Sequence, residues 1–577
     1  MRRHFVIPVL LTAIAIAAYA TSFDGQFILD DEHSIIENAA IRTFPPSLTI
    51  LRSHIGRSLV TVSLALNFKL GGLSTFGYHA FNLAVHILAG LTLYGLVRRT
   101  LLREPSGTTW RESATGLAAT VALFWLVHPL QTASVTYIIQ RCESMMGLFY
   151  LLTLYALVRG SDAQSAVARG GWYAAAVLSF AAGMCCKEVM VSAPVVAILY
   201  DRIFLAASWR ELMRRRGIVY LGFGGCLLLA VPIVETVLRS DNPQTMVGFH
   251  AASISARDYA QSQPGVIVHY LKLVLVPFPQ CLDYMWPVAR EPFDIIIPAS
   301  IVLAAVGLTI YGLWRVPKLG FCGTAFFLIL APTSSFVPIA DLAFEHRMYV
   351  PLAPVIVLLV LAGHAFMVRL GRQKQWSDRE LRRREMAVMG VTTIVLALLT
   401  ATRNLDYGNE GAMWLLVTEQ CPHNIRAQGN LGRAYNRIGR HEDARLRYAE
   451  FLRRCQHPNA HTGMAEALVG LGRPTEALEH YKAAVRLDPL RAYDHYAIGQ
   501  ILALDKKYHD AETYLRDADR LRPDHPPTLL ALAHVLQSLS RADEAHRVYD
   551  RAVAIDPNLA GRRQLWQNDV QSGFSPR

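Results

Sequence analysis

The stretch 386–410, MAVMGVTTIVLALLTATRNLDYGNE, divides the chain. Residues 386–402 form the last apolar run, and from Arg403 onward the sequence turns polar. The whole chain has 577 residues, of which 52% are hydrophobic and 18% charged. Soluble domains carry about 25% charged residues. With a mean hydropathy of +0.25, a purely cytosolic protein is excluded. The apolar residues fill 1–402, while 405–577 is polar and rich in Arg and Ala. The net charge of +12 comes largely from Arg clusters just beyond apolar runs. Such clusters orient membrane spans and call for no nucleic acid. The eight cysteines show no CxxC and no zinc-like spacing, so neither a disulfide framework nor a metal site follows.

Apolar runs predict spans at 5–21, 77–97, 115–130, 136–158, 172–185, 188–206, 217–236, 295–314, 319–335, 348–368 and 386–402,. Basic loops follow every second run. They carry Arg98, Arg99, Arg103 and Arg111, then Arg159 and Arg169, then Arg202 with Arg210 and Arg214 to Arg216, then Arg315 and Lys318, and last the stretch 369–384. Placing these loops in the cytoplasm gives eleven crossings, with run 5–21 as a signal anchor. The loops 22–76, 131–135, 186–188, 237–294 and 336–347, and everything after 402, then face outward. Residues 264–286 are apolar but carry Pro264, Lys272, Pro277 and Pro279. They are expected to lie in the outer interface rather than cross.

The polar part has a period of 34. Ala477, Ala511 and Ala545 are spaced by it, and so are Pro489, Pro523 and Pro557. Gly439 and Gly472 sit five residues before the repeated Ala, and Tyr448, Tyr481 and Tyr549 four after it. This is the tetratricopeptide signature of two antiparallel helices per repeat. Four repeats fit in 424–558, preceded by a helix at 409–423 with Trp414. The predicted fold is therefore all-α: a polytopic helical membrane domain over 1–404, an α-solenoid over 405–560, and a tail at 561–577. Cys421 and Cys455 occupy matching repeat positions and are expected to be free thiols. The concave face of such an array suits an extended polypeptide.

Charged groups in or beside spans are costly and tend to be functional. The informative ones gather on the outer side. Asp30, Asp31 and Glu32 follow the first span. His128 precedes Pro129, and Arg141 and Glu143 sit at the start of an apolar run. Lys187 and Glu188 occupy a tight hairpin tip, and Glu345, His346, Arg347 and Tyr349 precede span ten. Carboxylates facing cations at one membrane depth suit a phosphate-bearing, lipid-linked substrate. Cations would hold the phosphate while a carboxylate acts as base on an incoming hydroxyl.

Six stretches, in this order, make the chain resemble a known family. They are FILDDEHSIIEN (27–38), GRSLVTVSLALNFKLGGLSTFGYHAFNLAVH (56–86), LVHPLQTASVTYIIQRCESM (126–145), CCKEVMVSAPVVAILYD (185–201), YLKLVLVPFPQCLDYMWP (270–287) and FEHRMYVPL (344–352). The chain looks like the transmembrane-and-tetratricopeptide-repeat O-mannosyltransferases of the GT-C superfamily. That resemblance implies an acidic first outer loop (22–76) with amphipathic helices, here 34–52 and 57–70. It implies inverting transfer of a sugar, mannose or a similar hexose, from a polyprenyl phosphate to Ser or Thr hydroxyls. It carries the acidic motif onto Asp30 and Asp31, with Glu32 adjacent, and leaves the base open between the two aspartates. It carries donor-phosphate binding onto Arg347 and Lys187, with Arg141 and His346 beside them. His128, Glu143, Glu188, Glu345 and Tyr349 are further site candidates. The chain departs from the family where Arg57–Ser58–Leu59 stands for Arg-Pro-Leu, and at Gln140 to Glu143.

The expected partners are the lipid-linked sugar, membrane lipid and an extended acceptor polypeptide on the repeats. No cofactor is required, although three adjacent carboxylates leave room for a divalent cation. A bacterial inner membrane with periplasmic repeats is expected, the alternative being the endoplasmic reticulum with lumenal repeats. Two other functions remain open: the same chemistry on a lipid or polysaccharide acceptor, and a membrane-anchored scaffold for an export complex without catalysis.

Overall fold

The computed structural model describes residues 3–53, 55–231 and 254–562. The end of the apolar run 217–236, the first part of the loop 237–294 and the tail from 563 lie outside the described residues. The chain is all-α and divides into two compact units between Met413 and Trp414.

In the first unit the longer helices are α1 (Arg3–Ala18), α2 (Ser58–Gly71), α3 (Thr75–Leu101), α4 (Ala114–Leu126), α5 (Arg141–Asp162), α6 (Ala166–Met184), α7 (Ala193–Tyr200), α8 (Trp209–Cys226), α9 (Ala256–Leu275), α10 (Pro292–Arg315), α11 (Pro317–Leu330), α12 (Leu352–Gln373) and α13 (Asp378–Leu405). Among the described residues five helical segments are long and apolar enough to cross a membrane: α3, Ile138–Asp162, α10, α12 and α13. A sixth arises if α4 and Pro129–Val135, bent by 54°, form one broken span. This is fewer than the eleven expected. Runs 5–21 and 319–335 form shorter apolar helices, Val6–Ala18 and α11. Run 188–206 is broken into the turn Glu188–Ser192, the eight residues of α7 and a π turn at Asp201–Leu205. Its buried Asp201 accepts two bonds from Arg216 of α8, at 2.5 and 2.6 Å.

The first outer loop also differs from expectation. Residues 34–52 do not form one helix. They make a π turn (Glu32–Ile36), a 3-10 turn (Ala39–Ile41) capped by the Asn38 side chain, and a short helix (Leu48–Ser53). Pro45 and Pro46 remove two amide donors and push the preceding residue toward extended backbone. The second expected helix is present as α2. Residues 264–286 form the latter part of α9 and then extended chain.

Helix α3 ties the two ends of this unit together. At its C-terminal end Arg99 meets Asp162 at 3.0 Å, Arg103 pairs with the same carboxylate, and Lys318 meets Glu104 at 2.8 Å. These groups come from three loops expected on one side. Its N-terminal end packs beside the acidic motif: His79 bonds to the Gly25 carbonyl, and Asn82 donates to the carbonyls of Val135 and Ile138.

The second unit contains α15 (Ile425–Arg437), α16 (His441–Arg454), α17 (Pro458–Gly470), α18 (Pro474–Leu487), α19 (Ala492–Leu504), α20 (Tyr508–Leu521), α21 (Pro526–Ser538) and α22 (Ala542–Ile555), four helix pairs as expected. The preceding helix, α14 (Glu410–Gln420), buries Trp414 completely. The repeated alanines 444, 477, 511 and 545 are fully buried, where only a small side chain lets paired helices approach. Cys421 and Cys455 are free thiols.

Each first helix of a pair ends in the same left-handed turn. Gly439 and Gly472 occupy it with φ of 76° and 74°, Lys506 and Ser540 with 60° and 62°. The same closing bond follows in every repeat, from Arg440 to Tyr435, Arg473 to Leu468, Lys507 to Leu502 and Arg541 to Leu536,. A non-glycine residue in this conformation costs about 1–2 kcal/mol, partly offset by the greater unfolded freedom of glycine. Lys506→Gly and Ser540→Gly should therefore each stabilise the repeats by about 0.5–1 kcal/mol. Gly472→Ala should destabilise them by about 1 kcal/mol. Calorimetry of the full chain in detergent reads these as shifts of opposite sign in the unfolding of the repeats.

Candidate functional site

The acidic motif is built by burying one carboxylate and leaving its neighbour outside. Asp31 is fully buried. One of its oxygens accepts the Ile28 amide at 3.0 Å, and the other accepts the Ile139 amide at 2.8 Å. It thereby ties the first loop to the turn that opens α5. Burial pushes its pKa up to about 7 against the two amide bonds; the neighbouring Asp30 adds to the rise and Arg141 opposes it,. Asp30 is exposed, and its amide donates to the Tyr137 hydroxyl at 2.9 Å. Asp30 is thus the exposed member of the pair, while Asp31 is committed to holding the loop. Glu32 is half-buried and starts the π turn.

Most other residues expected at the site are committed to internal partners. Arg141 was expected beside the donor phosphate. It is fully buried and donates to Asn67 Oδ1 at 2.7 Å, Ser63 Oγ at 3.3 Å and the Tyr78 carbonyl at 3.2 Å. It locks α2 to α3, with Phe81 beneath the guanidinium at 4.7 Å. Arg347, also expected on the phosphate, donates to the carbonyls of Thr333, Leu342 and Asp341 and to the Tyr259 hydroxyl, at 2.7–3.4 Å. Segment 331–342 is largely irregular, and the five donors of a guanidinium satisfy carbonyls its backbone leaves open. Glu345 accepts from the Gln280 side chain, the Cys281 amide and the Tyr284 hydroxyl, at 2.7–3.0 Å. It fastens the extended segment after α9.

His128 caps the turn after α4 by accepting the Leu130 amide, and its other nitrogen donates to the Val274 carbonyl. Tyr349 is core. His86 uses Nε2 on the Leu126 carbonyl, so its Nδ1 accepts the Tyr349 hydroxyl proton at 2.9 Å. Lys187 and Glu143 form a buried ion pair at 2.6 Å. They join the Cys186–Glu188 corner to α5.

The exposed Asp30 carboxylate also takes a hydrogen bond from the Tyr137 hydroxyl, and Glu188 takes its own backbone amide, while Arg57 and His346 have no side-chain hydrogen bond among the described residues. Arg57 is solvent-exposed and, among the described residues, its guanidinium has no hydrogen-bond or ion-pair partner. The Cys142 sulfur raises its pKa against burial, and the carboxylates of Glu188, Glu143 and Asp30 add to the rise. Glu188 faces the charges of Lys187, Arg57 and Arg347. His346 stacks on Phe344 with ring centroids 5.0 Å apart. Burial, then the charges of Lys187, Arg347 and Arg57, holds its pKa well below the usual value, so the ring is neutral at pH 7. Arg57 was visible in the sequence only as a member of a departing motif. No acidic residue stands within a helical turn of it, but the same holds for Arg52 and Lys69 of that loop, so no local pattern singles it out. Among the described residues no three His, Cys, Asp or Glu side chains are disposed to hold a metal ion.

An apolar groove of about 320 Å³ lies among α3, α5, α7, α11 and α12, and none of the candidate site residues lines it. Leu93, Leu154, Val196, Phe204, Ala325 and Val357 are among its lining, with Tyr150 and Val350. The Glu104–Lys318 pair closes one rim. The Tyr150 hydroxyl lies 3.2 Å from Ser192 Oγ, at the end of the turn that Glu188 begins.

Residues 59–235 match the dolichyl-phosphate-mannose-protein mannosyltransferase family. Residues 462–526 and 502–565 match tetratricopeptide repeat families. The human protein O-mannosyl-transferase TMTC3 is 22% identical over 97% of this chain and 65% of its own length. The Drosophila melanogaster protein O-mannosyl-transferase Tmtc3 is 21% identical over 94% and 63%. The chain thus spans about two thirds of the length of these relatives. Among solved structures, ArnT from Cupriavidus metallidurans in the apo state aligns with a TM-score of 0.37 and 16% identity, over 82% of this chain and 79% of that one. The chain joins a membrane segment similar to the dolichyl-phosphate-mannose-protein mannosyltransferases to a segment similar to tetratricopeptide repeats, and along most of its length it resembles the TMTC protein O-mannosyl-transferases.

Proposed function

We propose that the protein transfers a sugar, mannose or a similar hexose, from a polyprenyl-phosphate donor to Ser or Thr hydroxyls of exported polypeptides, with inversion. The observation that carries this reading is the exposed Asp30 beside the buried, amide-bound Asp31, in a unit that also holds an Arg57 guanidinium with no partner among the described residues and an apolar groove. The groove takes the lipid tail and Arg57 takes the phosphate. Lys187, already bound to Glu143, adds positive potential. Asp30 accepts the proton of the acceptor hydroxyl as its oxygen attacks the anomeric carbon. The bond from that carbon to the phosphate oxygen breaks, and polyprenyl phosphate leaves with its charge met by Arg57. Single displacement inverts the configuration. Asp31, Arg141, Glu345 and Arg347 keep the surrounding loops in place.

The basic loops set the orientation. Eleven crossings, some made by short or broken helices, put the acidic motif and the repeats on the outer face of a bacterial inner membrane, with 264–286 lying in the interface. The endoplasmic reticulum is the alternative. The repeats hold the acceptor chain extended, which favours protein over lipid or polysaccharide as acceptor. A non-catalytic scaffold would have no use for an exposed carboxylate beside a buried, amide-bound one.

The test is transfer from polyprenyl-phosphate mannose to a Ser/Thr-rich peptide by purified protein. Wild type should transfer. Asp30→Asn should lose about 100- to 10,000-fold, the share of a general base, with its melting temperature unchanged. Arg57→Ala should raise KM for the donor and lower kcat. Asp31→Asn should first lower the melting temperature, because its amide nitrogen faces a buried N–H at a cost of about 1–3 kcal/mol. Full activity in Asp30→Asn would remove Asp30 as the base. No transfer from several lipid-linked sugars by well-folded protein would overturn the reading.

A further inference from the structure

Two imidazoles of the second repeat face each other through the same ring nitrogen. His461 on α17 and His480 on α18 bring their Nδ1 atoms to 3.0 Å, with ring centroids 5.3 Å apart and planes tilted by 36°. His461 is buried and His480 half-buried. A third side chain settles which form His461 takes. Gln456, in the link before α17, donates its Nε2 to the Leu452 carbonyl at 2.8 Å, so its Oε1 is left as an acceptor. His461 Nε2 lies 2.9 Å from that oxygen and therefore carries the hydrogen,. The Nδ1 of a neutral His461 is then a bare lone pair aimed at His480. Burial, then the neighbouring His480 and Arg486, lowers the pKa of His461, and burial lowers that of His480 against the pull of Glu476 and Glu479. Both rings are neutral at pH 7, the form in which imidazole binds a metal ion.

The gap between the two nitrogens admits two occupants. One is a hydrogen, with His480 in its Nδ1–H form donating to His461. The other is a metal ion. Nitrogen ligands sit about 2.0–2.1 Å from zinc, which sets two of them about 2.9 Å apart at a right angle and about 3.3 Å apart at the tetrahedral angle. The observed 3.0 Å falls within that span. An ion therefore replaces the shared hydrogen with shifts of a few tenths of an ångström. The hydrogen moves to His480 Nε2, which makes no hydrogen bond among the described residues. An amide oxygen that holds the other N–H of a ligating ring fixes its tautomer and direction, as Gln456 does here,. Two imidazoles favour ions of the zinc and copper class over magnesium or calcium.

We propose that His461 and His480 form a two-imidazole site for a divalent ion of the zinc and copper class, with Gln456 positioning His461. Water fills the remaining positions on the ion, so the site is weaker than a structural zinc centre with four protein ligands. Because the two rings stand on the paired helices of one repeat, the bound ion clamps that repeat together. Nothing in this depends on glycosyl transfer.

Zinc ion is the probe. Titration calorimetry of the full chain in detergent, free of any affinity tag, would compare wild type with His480→Gln and Gln456→Ala. The amide of His480→Gln can still donate to His461 Nδ1 but supplies no imidazole. Wild type should bind one zinc ion per chain beyond what His480→Gln binds, which separates this pair from the other histidines of the chain. Gln456→Ala keeps both imidazoles and should bind that ion about 10- to 100-fold more weakly. Zinc should raise the melting temperature of the repeats in wild type more than in His480→Gln, because it binds the folded form. In metal-free buffer the two should melt alike. Equal zinc binding by wild type and His480→Gln, or an equal zinc-induced rise in melting temperature, would overturn the proposal and leave a plain hydrogen bond between the rings. Unchanged zinc affinity in Gln456→Ala would remove Gln456 as the positioning residue.

Discussion

The two amide bonds to the Asp31 carboxylate hold the architecture of the site. One comes from Ile28, three residues earlier, and the other from Ile139, more than a hundred residues later. A buried carboxylate is costly unless donors are supplied to both oxygens. The first loop therefore cannot leave the turn before α5 without exposing or stranding a charge. Everything nearby follows from that junction. Asp30 is turned outward because its neighbour is turned in. Tyr137, two residues before Ile139, takes the Asp30 amide. Arg141, two residues after it, anchors α2 and α3, and so sets where Arg57 emerges.

The same logic sorts the charged residues. In an apolar surrounding a guanidinium or a carboxylate is stable only when its donors or acceptors are met. Arg141, Arg347, Glu345, Asp31 and the Lys187–Glu143 pair meet theirs inside the protein. They convert irregular segments into a rigid frame, and their loss would loosen loops as well as alter charge. Asp30 and Arg57 are exposed instead, and the Arg57 guanidinium has no partner among the described residues. A site assembled in this way needs little reorganisation on binding, because the frame is complete before the ligand arrives.

The sequence made the division into membrane and repeat halves legible. Hydropathy ends sharply at 402, and the Ala and Pro spacing of 34 is a property of helix pairing itself. Trp414 and the four repeats stand where that spacing put them. The acidic motif was legible as a cluster, because three adjacent carboxylates after a span have few structural uses. Which aspartate faces outward was not, since that depends on the Ile139 amide, a contact made across more than a hundred residues. Arg141 and Arg347 looked like anion ligands for the same reason: no local pattern announces that a guanidinium will bond to carbonyls of a distant loop. The expected helix over 34–52 ignored Pro45 and Pro46. Among the described residues fewer long continuous helices stand than apolar runs, because runs such as 188–206 are interrupted by turns that hydropathy does not register.

The account turns on which cation receives the donor phosphate. An experimental structure of the full chain in lipid with a non-transferable polyprenyl-phosphate sugar would decide it. The account predicts the phosphate within hydrogen-bond distance of Arg57, the tail in the groove past Tyr150, and Arg141 and Arg347 still on their present partners. A phosphate bound by Arg141 or Arg347 after either had left those partners, with Arg57 turned to solvent, would contradict it.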